Sequence, residues 1–233
     1  MVEGAGKSAL VAGASGLVGS KLLPILLGAG DYARVHALTR RPLTIDHARL
    51  ANRIVRFDAP LETQLKGLQC QDAFCCLGTT ARIAGSQAAF RAVDHDLVLS
   101  FARFALKAGA ERFVYISAMG ASEASKYFYL QVKGATERSL EALRFRALDI
   151  LSPSLLLGSR RSTRPLESLA QGAMSVLNPL LQGDWARFRA IPAETVAAAM
   201  LGAARGGRRG VNRYSYSGIR TLASSLTRHS TRL

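Results

Sequence analysis

The chain is expected to fold as an α/β protein, a doubly wound parallel sheet sandwiched in three α/β/α layers. Short apolar runs bounded by turn residues recur along it, with helix-length segments between them. The first run, 9–12, passes through the glycine-spaced turn GASGLVG at 13–19 directly into Lys21, Leu22 and Leu23. Continuous apolar runs of this length suit strands covered on both faces, as parallel strands between two helical layers are. Repeated β-α-β order requires right-handed crossovers and gathers ligands at the carboxyl edge of the sheet.

The strands expected on this basis are 9–12, 35–38, 54–57, 73–77, 113–116 and 148–151. Helices are expected at 17–27 after the glycine turn, at 86–108 closed by Gly109, and at 126–143. Beyond Leu151 the regularity loosens through Ser152 and Pro153 into an arginine-rich loop, and the segment 158–190, with a helix at 165–181, reads as a small cap over the site. A further helix at 193–204 starts after Pro192, and the glycine-rich stretch 206–210 precedes a C-terminal strand and helix. The cap is too short to fold by itself, so 1–233 is one domain.

At 233 residues the chain can bury a substantial core, and no apolar stretch approaches a bilayer span. The N-terminus lacks a basic segment followed by an apolar one, so a cytoplasmic, membrane-free protein is expected. Three cysteines, Cys70, Cys75 and Cys76, make neither a disulfide framework nor zinc spacing, so no metal is expected. The formal charge of +15 comes mostly from arginine, since only six residues are lysine. Arg160, Arg161 and Arg164 cluster, as do Arg205, Arg208 and Arg209, but no helix carries a continuous basic stripe. A solvated basic surface is the expected reading, and nucleic acid is not an expected partner.

In the glycine turn, Gly13 lets the chain reverse, Gly16 lets backbone amides approach a pyrophosphate, and Gly19 lets helix and strand pack closely. Ser15, Leu17 and Val18 complete this dinucleotide phosphate site, and the helix N-terminus adds partial positive charge. The second strand ends in Thr39, Arg40 and Arg41, where an acid would accept bonds from the ribose hydroxyls of NAD. Two guanidinium groups there suit a ribose 2'-phosphate, so NADP(H) is expected over NAD(H). Asp58, past the third strand, is placed to reach the adenine amino group. Leu77, Gly78 and Thr79 past the fourth strand, and Pro153 past the sixth, line the same edge. GAGKS at 4–8 imitates a phosphate loop but precedes its strand and lacks the leading glycine, so it is set aside.

Tyr129 and Lys133, four residues apart on one helix face, and Ser117 at the end of the fifth strand form a set able to run carbonyl reduction. The serine hydroxyl would hold the carbonyl oxygen and the tyrosine would give it a proton. The lysine ammonium would favour phenolate and hold the nicotinamide ribose.

With CCLGTT at 75–80, YLQVKG at 129–134 and the pair Arg164, Pro165, the chain resembles atypical short-chain dehydrogenases/reductases, and within them the Tat-interacting protein oxidoreductase branch. The likeness runs from about residue 8 to 204. It implies a Rossmann-like NADP-binding fold, Gly13, Ser15, Gly16 and Gly19 at the phosphates, and Ser117, Tyr129 and Lys133 as the catalytic set. Where the wider class often has an asparagine supporting a proton relay, this chain has Asp94 and Asp96. The function expected is reduction of a small carbonyl, or oxidation of an alcohol. Arg164 and Trp185 in the cap are candidates for the substrate. The alternative is a non-catalytic NADP(H)-dependent sensor acting through a protein partner. A homodimer through helices 86–108 and 126–143 is a further candidate partnership.

Overall fold

The computed structural model describes residues 6–157 and 189–230. A seven-stranded sheet forms its centre. Its strands are β1 (Ser8–Ala12), β2 (Arg34–Thr39), β3 (Leu50–Ile54), β4 (Asp72–Cys75), β5 (Arg112–Ile116), β6 (Ala147–Leu151) and β9 (Gly210–Tyr214), all paired in parallel. Their order in space is β3-β2-β1-β4-β5-β6-β9. This is the doubly wound order with one strand added, and the direction of winding reverses between β1 and β4. A separate parallel ladder joins β7 (Leu156–Leu157) to β8 (Ile191–Pro192). Most of the expected cap, including Arg160, Arg161, Arg164 and Trp185, lies outside the described residues.

Alternation along the strands assigns side chains to two cores. Ala9 and Val11 of β1 face one core and Leu10 and Ala12 the other; in β5, Val114 and Ile116 oppose Phe113 and Tyr115. The first core lies under α1 (Gly19–Gly28) and α7 (Ala193–Arg205), and α8 (Tyr216–Ser230) packs on α7. At their contact Gly202 admits the partner backbone, because a Cβ there would meet the Leu222 carbonyl. The second core lies under α5 (Val98–Lys107), to which Val98, Phe101, Ala102 and Ala105 contribute one face at helical spacing. Two short helices, α2 (Leu61–Gln64) and α3 (Ala81–Ala84), complete the connections around β4.

Two elements differ from expectation. The third strand is Leu50–Ile54, not 54–57. It is an edge strand paired only with β2, and its Ile54 is 59% exposed. Asn52 determines its seat by donating to Thr39 Oγ1 at 2.6 Å and to the Ala37 carbonyl, while accepting the Leu43 amide at 2.8 Å. An edge strand gains from backbone pairing rather than double-sided burial, so an apolar run misplaces it. The helix expected at 86–108 is α4 (Gln87–Arg91), a π-helical turn (Ala92–Leu97) and α5 in succession. Ser86 caps its start by accepting the Ala89 amide.

Candidate cofactor and catalytic site

The glycine turn follows β1 and meets the end of β4 at the point where the winding reverses. Gly13 has φ +81°, and a Cβ on it would fall 2.5 Å from the Cys76 carbonyl oxygen. A Cβ on Gly19 would collide with the Gly13 carbonyl, and the Gly16 amide donates to that carbonyl at 2.9 Å. Gly13 and Gly19 are thus required by backbone approaching backbone, and a Cβ on Gly16 would press on the Gly13 carbonyl oxygen at 3.1 Å. α1 starts at Gly19, two residues later than expected, with no side-chain cap and no acid in its first turn. The Ser20 and Lys21 amides already donate to the Gly16 and Val18 carbonyls at 3.0 Å, so the amides that can meet an anion are those just before them, from Leu17 to Gly19, with the exposed Ser15 in the same turn. The residues present fit a dinucleotide pyrophosphate.

Arg40 and Arg41 follow β2, both exposed, and neither has an ion pair among the described residues. Asp58 lies four residues beyond β3 and is held by Arg56, which donates to it at 2.9 and 3.2 Å. That exchange keeps the Asp58 carboxyl below its usual range. The carboxylate expected at the adenine is therefore turned toward a neighbouring guanidinium. Pro153 is buried past β6 and its carbonyl accepts the Met119 amide at 2.9 Å.

At the centre of this edge lies a buried ion pair. Lys133, on α6 (Phe128–Ala142), places Nζ 2.9 Å from Asp94 Oδ1, and both side chains are nearly inaccessible. The π-helical turn carries Asp94 and directs it toward the sheet edge, and Thr136 holds that turn by donating to the Asp94 carbonyl at 3.0 Å. Asp94 Oδ2 also accepts the Thr79 amide at 2.7 Å, and a Cβ on Gly78 would fall 3.3 Å from Oδ1. Lys133 donates further to the Tyr115 hydroxyl at 3.2 Å and to the Ile116 carbonyl at 3.3 Å. Burial opposes the lysine charge, but Tyr115, Asp94 and Tyr129 together hold its ammonium above the ordinary lysine range. Asp94 and Tyr115 in these roles were missed in the sequence. No spacing rule marks a π-helical turn, and Tyr115 lacks a lysine on its own element.

Tyr129 stands one turn before Lys133, is 41% exposed and packs on Phe90 with ring centroids 5.6 Å apart. Desolvation raises its phenol, the Lys133 charge lowers it and Asp94 raises it, with a net upward shift. The ammonium alone would favour phenolate; against desolvation, to which Asp94 adds, it does not prevail, and the phenol keeps its proton near neutral pH. Gly134 allows α6 to lie against 122–123, since a Cβ there would fall 2.5 Å from the Glu123 amide nitrogen.

The structure does not bring Ser117 to the Tyr129–Lys133 pair as a free hydroxyl. Ser117 is 4% exposed and donates to Glu137 on α6, whose other oxygen faces Arg213. In this arrangement it ties the end of β5 to α6 and does not offer its hydroxyl to a carbonyl. The three cysteines are free, and burial pushes Cys70 and Cys75 up to about 12, so none is a ready nucleophile. Among the described residues there is no cluster able to hold a metal ion and no helix long and apolar enough to cross a membrane.

The family model described as NAD(P)H-binding matches residues 13–157. Protein HTATIP2 of Rattus norvegicus is 38% identical over 199 residues, covering 84% of this chain and 80% of that protein. The chain belongs to the atypical short-chain dehydrogenases/reductases, in the HTATIP2 branch. Protein FMP52, mitochondrial, of Saccharomyces cerevisiae is 35% identical over 157 residues, covering 66% of this chain and 68% of that protein. Among solved structures, MoeE5 in complex with UDP-glucose and NAD superposes with a TM-score of 0.64 at 18% identity, covering 94% of this chain and 82% of that one. The UDP-N-acetylglucosamine 4-epimerase from Methanobrevibacter ruminantium M1 gives 0.65 at 16% identity, covering 90% and 76%. These two share the Rossmann-like fold of the sheet and its helices.

Proposed function

We propose that the protein is an NADP(H)-dependent reductase or dehydrogenase acting on a small carbonyl or alcohol. The observation that carries this reading is the buried Lys133–Asp94 pair beside a half-open Tyr129 at the switch point of the sheet. Gly13, Ser15, Gly16, Leu17, Val18 and Gly19 would hold the pyrophosphate, and Arg40 and Arg41 the 2'-phosphate. Leu77, Gly78, Thr79 and Pro153 would border the nicotinamide half, and Lys133 would hold its ribose. The cofactor, when bound, supplies hydride.

The Tyr129 phenol gives its proton to the carbonyl oxygen, and the phenolate left behind is held by the Lys133 ammonium. Asp94 and Tyr115 keep that ammonium charged and aimed, acting through Lys133. Ser117 serves α6 positioning through Glu137. Its engagement by Glu137 is also the one observation that favours the second reading, a sensor in which the cofactor alters affinity for a protein partner without turnover.

Titration with NADPH and NADH, repeated on Arg40→Ala, is expected to show NADPH bound more tightly and its advantage cut about tenfold by the substitution. In a carbonyl screen with NADPH, Tyr129→Phe is expected to lose about 10²-fold or more in turnover while cofactor affinity stays unchanged. Unchanged turnover in Tyr129→Phe would overturn the mechanism. No turnover on any carbonyl, together with a cofactor-dependent protein partner, would establish the sensor.

A further inference from the structure

A cavity of about 570 Å³ opens at the opposite, amino edge of the sheet. Lys7 before β1, the starts of β4, β5 and β6, the α1–β2 connection and the loop after α7 surround it. From Lys7 to Gly13 the chain runs the whole length of β1, so this cavity lies about 20 Å from the glycine turn.

Two of its three acids are paired with arginine. Asp31 pairs bidentately with Arg205, at 2.9 and 2.6 Å, and Glu111 pairs with Arg146. Asp72 is buried and accepts the Tyr32 hydroxyl at 2.8 Å; burial pushes its carboxyl upward, against the pull of the Lys7 charge. Lys7, Arg208 and Arg209 line the same space and have no ion pair among the described residues.

The loop that carries the two arginines is built rather than loose. Buried Arg112 donates to the Arg208 carbonyl at 2.9 Å, and the Gly210 amide donates to the Arg146 carbonyl at 2.9 Å. Gly207 and Gly210 take φ of +64° and +74°, which lets the chain turn on either side of Arg208 and Arg209.

We propose that this cavity binds a small, multiply charged anion of the phosphate-ester or polyphosphate class, through Lys7, Arg208 and Arg209. Guanidinium forks suit phosphate oxygens, and the volume falls in the range of small-molecule sites. A concave space with three unpaired cations differs from the extended basic stripe a nucleic-acid strand would need. Part of the arginine excess that the cofactor leaves unused is thereby assigned.

The test is calorimetric titration of the full chain at about 150 mM salt with tripolyphosphate and, separately, fructose 1,6-bisphosphate, each with and without saturating NADPH. Saturable binding of either probe that persists with NADPH and weakens about tenfold or more in Arg208→Ala/Arg209→Ala supports the proposal, and the tighter probe names the source. Lys7→Gln, outside the loop, is expected to weaken it as well, and unchanged thermal midpoints would show both variants folded. Binding abolished by NADPH, indifferent to both variants, or seen only for a single-stranded oligonucleotide overturns it. The outcome does not depend on whether the carboxyl edge catalyses anything.

Discussion

Two buried ion pairs lie at opposite edges of the same sheet, and they differ in how fully their partners are satisfied. Arg112 at the start of β5 pairs with Asp149 of β6 and also donates to the Ala203 and Arg208 carbonyls; Asp149 in turn accepts the Tyr214 hydroxyl at 3.0 Å. Every bond there joins one structural element to another, from β5 and β6 to α7, its following loop and β9. Lys133 and Asp94 are equally buried, yet they face Gly78, which is exposed, and Tyr129, which is partly open. The first pair is a structural junction, with Arg112 forming part of the wall of the amino-edge cavity. The second is a charged group held ready beside a cleft. Burial of an ion pair therefore does not reveal its purpose; the accessibility of what it touches does.

The largest expected effect follows from breaking the structural junction. Arg112→Met leaves Asp149 charged and uncompensated and frees two carbonyls, so unfolding stability should fall by about 3–5 kcal/mol in urea titration. Cofactor affinity of the remaining folded protein should be unchanged. A loss below about 1 kcal/mol would mean that water reaches Asp149.

Asp94→Asn tests the open pair through its chemistry, read on the folded protein. Asp94 raises both the Tyr129 phenol and the Lys133 ammonium, so its removal lowers both. In carbonyl reduction the protonated phenol is the active form. The alkaline limb of the kcat/KM profile should therefore move to lower pH. An unmoved limb would leave Asp94 as a structural bond to Thr79 alone.

The smallest expected effect concerns His36 in β2, a buried polar group whose Nδ1 has no partner. Burial, with Arg53 and Arg34 beside it, lowers its pKa from 6.5 to about 4. The unfolded chain takes up a proton that the folded chain refuses, so the contribution is full above about pH 6.5 and is lost as pH falls toward 4. Between pH 7 and about 5.5 the protein should lose about 1 kcal/mol through this group, and His36→Leu should remove that slope in paired urea titrations. A slope equal in both proteins would assign the acid sensitivity elsewhere.

The sequence by itself determined the doubly wound architecture, the position of the glycine turn and the Tyr129–Lys133 spacing. Each rests on local patterns: four-residue apolar runs covered on both faces, three glycines between strand and helix, and a four-residue repeat on one helix face. Only the tertiary structure decided which side chains meet. Edge strand β3 sits where Asn52 bonds to β2, not where the apolar run falls, because an edge gains little from burial. Ser117 and Glu137 meet across 20 residues, and Asp94 reaches Lys133 across 39, through a π-helical turn with no apolar signature. Such contacts depend on the register of packed elements, and that register is chosen by the whole core rather than by any window of the chain.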